Sequence, residues 1–378
     1  MLADLDTSPE IAELTERIKA AAAARTPLRI RGGGTKDFYA QSLQGEILDV
    51  TGLRGVTSYE PSELVVTALA GTPLAELEAL LATQGQCLPF EPPHFSAGAT
   101  VGGMVASGLS GPARASSGGV RDFMLGVKFI NGIGEELTFG GQVMKNVAGY
   151  DVSRLMAGSM GTLGVITEVS LKVLPVAPAQ ATLRFDASQA QALQWLHAWG
   201  GQPLPLNASC WLHEEGSDIG TLYLRLRGAV AAVQAACGTL CGQAGATLEE
   251  PAQVATDWMA CRNQQLPWFL ARSDTQDLWR LSVPQTAPVL DLPESPLIEW
   301  HGGLRWVRAE AKHADKLRQV AREAGGHATL FIAASAGNAW AGDRFDTLKP
   351  PLDRIHRNMK AQFDPSGIFN PNRMSRDF

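Results

Sequence analysis

Three glycine clusters are the part of this sequence most suited to chemistry. They are Gly32-Gly33-Gly34-Thr35-Lys36, Thr100-Val101-Gly102-Gly103 and Gly158-Ser159-Met160-Gly161-Thr162-Leu163-Gly164. The first follows a short predicted strand, Leu28–Arg31, and the third leads into another strand. Consecutive backbone N–H groups bind the acceptor oxygens of a diphosphate where no Cβ obstructs the approach. The clusters therefore predict a diphosphate site, to which Arg31 and Lys36 add positive charge.

Two common nucleotide motifs are missing from the sequence. It contains no GxGxxG and no GxxxxGK[ST] pattern, so neither a Rossmann NAD site nor a P-loop is supported. A single glycine triplet can be a flexible turn. Three separated clusters favour a ligand over that reading.

Composition limits the class of protein. The 378 residues suggest two domains, and 45% hydrophobic with 19% charged residues is ordinary for a soluble enzyme. The net charge of −6 argues against nucleic-acid binding, which depends on concentrated Lys and Arg. No apolar run is long enough for a membrane span, and the acidic first residues do not resemble a secretory signal. The five scattered cysteines suggest reduced thiols, so we expect a cytoplasmic protein without an iron–sulfur cluster of its own.

The first half of the chain alternates short helices and strands. Ser8-Pro9-Glu10 predicts a helix start, with the helix running to about Ala24. Strands are expected near 47–50, 64–70 and 165–173, and a helix is expected after Thr72-Pro73. The glycine-dense residues 97–121 are expected to let the backbone approach a ligand rather than to build a core.

Pro175–Pro178 marks a predicted domain junction. Beyond it, helices are expected near 188–199, 229–243 and 311–324. Strands are expected near 207–212, 221–227, 278–283, 304–309 and 328–333, and the proline-rich residues 284–297 form a predicted loop. This pattern predicts an antiparallel sheet with helices on one face. The divisions are residues 1–177, 178–345 and a C-terminal segment, 346–378.

The order of the motifs resembles a known family. The motifs are Arg31–Thr35, Ala99–Gly103, Gly119–Asp122, Lys145–Asp151, Gly161–Glu168, Phe363-Asp364-Pro365 and Asn370-Pro371. Together they are similar to the PCMH-type FAD domain of the vanillyl-alcohol-oxidase superfamily, and within it to glycolate oxidase FAD-binding subunits. The resemblance implies an α+β fold: a two-subdomain FAD-binding domain, a smaller α+β cap domain, and a C-terminal segment that returns to the flavin.

The resemblance also implies which residues meet FAD. Arg31, Gly32, Gly33, Gly34, Thr35 and Lys36 would meet the diphosphate. Thr100, Val101, Gly102, Gly103, Ser107 and Gly111 would line the flavin and its ribityl chain. Gly164, Val165 and Ile166 would offer backbone to the adenine, and Asn370 would lie on the returning segment. No histidine stands beside the first glycine loop, so noncovalent FAD is expected.

The implied activity is glycolate (2-hydroxy acid) dehydrogenation by a complex of several subunits. Its partners would be a catalytic flavoprotein subunit and an iron–sulfur subunit, with peripheral membrane contact through those partners. Larger catalytic relatives carry Glu where this chain has Met160, and they carry a metal motif in the cap that is missing here, so no metal is expected. A self-sufficient 2-hydroxy acid oxidoreductase and a structural subunit with a decayed flavin site stay open as alternatives.

Oxidation of a 2-hydroxy acid needs a cation for the carboxylate and a base for the hydroxyl proton. Candidate cations are Arg280, Arg305 and Arg308, which stand beside tryptophans in predicted strands; Lys145 is a candidate cation near the flavin. Candidate bases are His94, which precedes the second glycine cluster, and, with ordinary structural roles favoured, His301 and His327.

Overall fold

A computed structural model describes residues 8–141, 151–213, 219–336 and 342–376. The helices are α1 (Ser8–Ala24), α2 (Leu74–Ala82), α3 (Val101–Ser107), α4 (Arg114–Ser117), α5 (Val152–Met156), α6 (Gln189–Gly200), α7 (Val230–Ala244), α8 (Pro251–Arg262), α9 (Pro267–Leu270), α10 (Ala314–Glu323) and α11 (Leu352–Phe363). The strands of the first half are β1 (Leu28–Arg31), β2 (Glu46–Asp49), β3 (Val56–Glu60), β4 (Val65–Leu69), β5 (Gln86–Cys87), β6 (Met124–Ile130), β7 (Glu136–Gly140), β8 (Val165–Lys172) and β9 (Leu174–Pro175). Those of the second half are β10 (Ala179–Asp186), β11 (Leu206–Leu212), β12 (Thr221–Gly228), β13 (Thr247–Leu248), β14 (Asp277–Ser282), β15 (Leu297–Glu299), β16 (Leu304–Ala309) and β17 (His327–Ile332).

The chain divides into two compact units. The first comprises Met1–Leu109, Gly119–Val176 and Thr347–Phe378, and the second comprises Ser110–Gly118 and Ala177–Asp346. The α+β class predicted from the sequence is confirmed, since both units mix helices with sheets.

The first unit is built on a five-stranded antiparallel sheet. Its order is β3-β4-β8-β6-β7, and every residue of β4 is buried. The helices α2 and α3 pack on this sheet through Leu74, Leu77, Met104 and Val105. A smaller layer joins the parallel pair β1-β2 to α1 and to Ile368 and Phe369 near the C-terminus.

The glycine-rich segment corrects one prediction. Residues 101–107 form a helix whose Val101, Met104 and Val105 side chains are fully buried, so the expectation that this segment does not build a core is wrong. A Cβ added at Gly102 would lie 2.7 Å from the Cβ of Ala70 at the end of β4. The glycine is needed because the helix packs this closely on the sheet.

A buried ion pair shapes the C-terminal turn. Lys360 Nζ, at the end of α11, lies 2.6 Å from Asp364 Oδ2, and both side chains are almost fully buried. The same ammonium donates to the carbonyls of Thr162 and Phe369, each at 2.8 Å. Asp364 accepts from the backbone N–H groups of Ile368 and Phe369. The Phe363-Asp364-Pro365 motif is therefore held by a network that satisfies both charges.

The second unit contains an eight-stranded antiparallel sheet. Its order is β13-β10-β12-β11-β15-β16-β14-β17. The helices α6, α7 and α10 pack on one face, against alternate residues such as Leu183, Leu224 and Leu330. The helix α8 packs on the opposite face, where Trp258 Nε1 donates to Thr182 Oγ1 at 3.0 Å. The prediction of helices on one face only is therefore wrong for α8, and sequence reasoning did not predict α8, α9 or β10.

Candidate functional site

The first glycine loop forms one wall of a basic cleft in the first unit. The cleft has a volume of about 90 Å³. Its lining includes Arg29, Ile30, Arg31, Gly32, Gly33, Gly34, Thr35, Lys36, Asp37, Leu43, Thr100, Gly103, Ala106, Ser107, Met160, Asn370 and Arg373. A volume of this size is small beside the roughly 300–1,000 Å³ of whole-ligand pockets. It therefore suits a diphosphate and not a complete dinucleotide.

Glycines are required here because two loops interlock. A Cβ added at Gly32 would lie 2.5 Å from Thr100 Oγ1, and one added at Gly33 would overlap the carbonyl of Gly98. The Thr100 hydroxyl in turn accepts from the N–H of Gly103 at 3.2 Å and begins α3. The first two glycine clusters thus pack directly against each other, and both line the cleft.

Positive charge dominates the lining of the cleft. Its charged residues are four basic side chains and one carboxylate: Arg29, Arg31, Lys36, Arg373 and Asp37. Arg29 donates to Asp37 through Nη2, and Arg31 Nε lies 3.2 Å from the same carboxylate. Lys36 is buried and lies over the Phe95 ring, 5.5 Å from its centroid. The excess of basic groups favours an anionic ligand.

Asn370 connects the walls of the cleft. Its Oδ1 accepts from the N–H of Ile30 on β1 at 2.8 Å, and its Nδ2 donates to the carbonyl of Met160 at 2.6 Å. Nearby, Arg373 Nη1 donates to the carbonyl of Gln41 at 2.9 Å. The C-terminal segment therefore fixes both the strand before the first glycine loop and the turn of the third cluster.

The third glycine cluster also borders a second cavity of about 510 Å³ in the first unit. Ser159, Thr162 and Leu163 line it, with His356 and Met359 from α11. The Ser159 hydroxyl is buried and has no hydrogen-bond partner among the described residues. A buried hydroxyl of this kind calls for a ligand or a water molecule as partner.

Several predicted cofactor residues lie away from the cleft. Val101 and Gly102 face the core of the first unit. Gly164, Val165 and Ile166 sit at the start of β8, where Val165 and Ile166 pair with β6. Gly111 belongs to the second unit, and its carbonyl accepts from Trp300 Nε1 at 3.0 Å. His94 lies 3.0 Å from Glu78 on α2 and does not line the cleft.

Arg280 stacks on Trp300 in the second unit. Its guanidinium carbon lies 5.0 Å from the ring centroid of Trp300, and that of Arg114 lies 4.5 Å from the same centroid. Among the residues that the structure describes, no hydrogen-bond or ion-pair partner is seen for the Arg280 guanidinium. His301 follows Trp300 in the chain. Its Nε2 lies 2.9 Å from Ser116 Oγ, and its Nδ1 lies 3.1 Å from Ser209 Oγ. Burial lowers the pKa of His301 to about 4, so its imidazole is neutral at pH 7.

Arg305 and Arg308 point to opposite faces of the sheet. Arg305 is fully buried beneath the face that carries α6, and burial lowers its pKa to about 10. Arg308 stacks on Trp268 at 4.7 Å and lies 3.6 Å from Glu294. The structure therefore does not bring Arg280, Arg305 and Arg308 together. Lys145 and its motif through Tyr150 lie outside the described residues.

Sequence reasoning missed Arg29, Asp37, Arg373 and Ser159. A signal existed for Arg29, because residues two apart on a strand point to the same face and Arg31 was already a candidate. Arg373 follows the Asn370-Pro371 motif closely enough to have been considered with it. Ser159 stands inside the third glycine cluster, and this position was its signal in the sequence.

Comparison with known proteins identifies the family. A family model described as an FAD binding domain matches residues 9–153. The chain is 46% identical over 361 residues to glycolate oxidase subunit GlcE of Escherichia coli (strain K12), covering 96% of each protein. The chain belongs to the GlcE family.

Other relatives in sequence match less than half of this chain. Glycolate oxidase subunit GlcD of Bacillus subtilis (strain 168) is 28% identical over 161 residues, which cover 42% of this chain and 34% of GlcD. D-lactate dehydrogenase of Anaerostipes hadrus is 34% identical over 131 residues, covering 35% and 27%. The solved structure of alkyldihydroxyacetonephosphate synthase superposes with a TM-score of 0.64 at 16% identity, covering 95% of this chain and 75% of that chain, and this likeness concerns the fold alone.

These matches establish the cofactor and the enzyme class of this GlcE-family protein. The predicted resemblance to glycolate oxidase FAD-binding subunits is confirmed, as are FAD as the cofactor and membership of an FAD-dependent oxidoreductase family. In the described part of the chain, no helix is both long and apolar enough to cross a membrane.

Proposed function

We propose that this chain is the FAD-binding subunit of a glycolate (2-hydroxy acid) dehydrogenase complex. The observation that carries the proposal is the cleft of interlocked glycine loops, lined by four basic side chains and closed by Asn370. It occurs in a chain that resembles GlcE over nearly its whole length.

The described residues fit FAD in two respects. The loop from Gly32 to Lys36, with Arg29, Arg31 and Arg373, would hold the diphosphate. The orphan hydroxyl of Ser159 and the adjoining cavity would hold a further polar part of the cofactor. Thr100, Gly103 and Ser107 would line the chain leading to the flavin, and Gly164 to Ile166 would remain the wall for the adenine. Bound FAD supplies a two-electron acceptor that can release its electrons singly.

The role of the chain's own residues is to bind and orient the cofactor. The basic side chains neutralise the diphosphate, and the clamp made by Asn370 fixes the distance between the two walls. We assign substrate oxidation to a catalytic flavoprotein partner and electron acceptance to an iron–sulfur partner. The assignment is supported by Met160, which replaces the Glu of catalytic relatives. We place the complex in the cytoplasm, with membrane contact through its partners.

The binding role is tested by adding a charge to the cleft, with an uncharged variant of equal bulk as the control. Ala106 lines the cleft and is half-buried on α3. Ala106→Asp introduces a carboxylate, and Ala106→Asn introduces the same shape without charge. Two like charges about 5 Å apart repel by about 3 kcal/mol at an effective dielectric constant of about 20, which is about a hundredfold in affinity. We expect Ala106→Asp to be purified with much less FAD than Ala106→Asn, and equal FAD contents would contradict the proposed site.

The alternative is that the chain oxidises the substrate itself. The observation that favours it lies in the second unit, where Arg280 has no hydrogen-bond or ion-pair partner among the described residues and stacks on Trp300, the residue before neutral His301. A guanidinium binds a carboxylate, and a neutral imidazole accepts a hydroxyl proton. Anaerobic titration of the purified chain with glycolate separates the two functions. Our proposal predicts that the flavin spectrum stays oxidised until the partner subunits are added, whereas bleaching in the isolated chain supports the alternative.

The third function, a structural subunit with a decayed flavin site, makes a different prediction. The protein would be colourless after incubation with FAD, and the Ala106 variants would behave alike.

A further inference from the structure

The second unit encloses a cavity that the flavin proposal does not use. Its volume is about 880 Å³, within the range of about 300–1,000 Å³ typical of small-molecule sites. The cavity lies between the sheet and the helices α8 and α9, and all of its lining residues belong to the second unit. None of them is among the predicted FAD residues, so the inference does not depend on the proposed function.

The walls of the cavity are mainly hydrocarbon and aromatic. Leu212 on β11, Val254 on α8 and Leu266 before α9 contribute aliphatic side chains, and Trp258 and Trp268 contribute indoles. An apolar ligand would therefore gain by leaving water for this cavity.

The charges beside the two tryptophans of the cavity are already matched, which argues against a charged ligand there. Arg308 lies 3.6 Å from Glu294, and Glu294 also accepts from Gln276. Both tryptophan rings have a guanidinium close by, since Arg225 lies 4.8 Å from the Trp258 centroid and Arg308 lies 4.7 Å from that of Trp268. The two indoles therefore do not form a cage for an ammonium group. Asp257, the other carboxylate of the lining, is exposed to water and accepts from Gln253 at 3.2 Å. An ion placed beside the two indoles would therefore have no uncompensated partner for its charge.

One hydrogen-bond donor group of the lining is only partly used. The Arg308 side chain lines the cavity and is 22% exposed, and among the described residues its only hydrogen bond runs from Nη1 to the carbonyl of Trp268 at 3.3 Å, since the separation of 3.6 Å from Glu294 is too long for one. The thiol of Cys261 at the base of the cavity donates to Glu299 at 3.3 Å, and contact with Cys210 and burial raise its pKa well above the usual value. The thiol is thus protonated and unreactive, which indicates a binding site rather than a site of covalent chemistry.

We propose that this cavity binds an uncharged, largely apolar ring compound whose carbonyl oxygen accepts a hydrogen bond from Arg308. The apolar walls select the ring system, and the balanced charges exclude ions. The guanidinium fixes the orientation of the carbonyl group.

A suitable probe is 6-propionyl-2-dimethylaminonaphthalene, an uncharged naphthyl ketone. Isothermal titration calorimetry on the purified full-length protein should show saturable binding with a negative heat-capacity change, as expected for burial of apolar surface. The double variant Val254→Trp/Ala271→Trp, which narrows the cavity, should weaken binding at least tenfold. The control variant is Ala235→Trp, at an exposed position on α7, which packs on the opposite face of the sheet. It should leave binding unchanged. If the double variant does not fold, Val254→Phe alone is used to narrow the cavity. Its melting temperature must equal that of the wild-type protein for the comparison of binding to count.

The hydrogen bond between Arg308 and the carbonyl oxygen of the ligand is tested separately. Arg308→Met should weaken binding of the ketone about tenfold, as expected for loss of one hydrogen bond to a charged donor. Glu294→Gln, which removes the ion pair but keeps the donor, should not weaken it. The analogue with a methylene group in place of the carbonyl should bind the wild-type protein about tenfold more weakly and be insensitive to Arg308→Met.

Three results would overturn the proposal. They are the absence of saturable binding, equal binding by the wild-type protein and the narrowed variant, and tighter binding of the anion 1-naphthoate than of the ketone.

Discussion

Gly33→Ala adds one methyl group at the contact between the two glycine loops. The new Cβ would lie 2.5 Å from the carbonyl carbon of Gly98 and nearer still to its oxygen, whereas real Cβ atoms keep at least 3.0 Å from other heavy atoms. The carbonyl oxygen, at 1.5 Å, sets the displacement, so the loops must separate by 1.5 Å to restore 3.0 Å. Because both partners are backbone, no flexible side chain can move aside to relieve the overlap.

The expected cost is that of overpacking, about 1–3 kcal/mol. With about 2–4 °C of melting temperature per kcal/mol for a unit of this size, the melting temperature should fall by about 2–12 °C. The FAD content of the purified protein should fall as well, because the same displacement opens the cleft.

Gly52→Ala is the matched control. A Cβ at Gly52 would have Glu10 Cγ as its nearest neighbour, at 3.8 Å, which is ordinary van der Waals contact. Scanning calorimetry and flavin absorbance of the two purified variants make the comparison. If Gly33→Ala retained both the melting temperature and the FAD content of Gly52→Ala, the interlocking of the loops would not be what requires glycine at this position.

Three further predictions concern the C-terminal segment and the second unit. Lys360→Met should destabilise the protein by about 3–5 kcal/mol in urea unfolding, because it leaves the carboxylate of Asp364 buried without compensation, whereas Arg357→Met at an exposed ion pair should cost less than about 1 kcal/mol. Asn370→Ala should lower FAD retention in dialysis, because two backbone groups lose their partner; unchanged retention would show that the clamp is dispensable. His301, whose pKa is about 4 when folded and 6.5 when unfolded, makes the folded state bind fewer protons; the free energy of unfolding should fall by up to about 3 kcal/mol as the pH drops from 6.5 to 4, and this slope should be reduced in His301→Gln.

Sequence patterns located the flavin-binding half well because local chemistry governs it. The strand Leu28–Arg31 and the helix Ser8–Ala24 have the predicted bounds, since a proline at the first turn and alternating residues are local signals. The structural reason for the glycines could not be predicted from the sequence. Whether Gly33 makes room for a ligand or for Gly98 depends on a contact between residues 65 positions apart, which no local pattern contains.

The second unit shows a different limit. The helix α8 was missed because its buried positions, such as Val254, Trp258 and Cys261, are interrupted by exposed Met259 and by polar residues. The strand β10 was missed because it directly follows the prolines of the predicted junction. Without these two elements the opposite face of the sheet looked bare, so the cavity could not be predicted. The separation of Arg305 from Arg308 could have been, because residues three apart on the predicted strand 304–309 point to opposite faces.

The pairing of Leu28 with Phe369 has a consequence for synthesis of the protein. The strand β1 leaves the ribosome long before the segment that completes its sheet, since Ile30 and Asn370 are 340 positions apart. Contacts between distant parts of a chain form late in folding, after the entropy of closing the loop has been overcome. The nascent protein must therefore remain incompetent for tight cofactor retention until Phe369 and Asn370 have been synthesised, and removal of the chain from Phe369 onward should act on flavin loading rather than on the stability of the second unit.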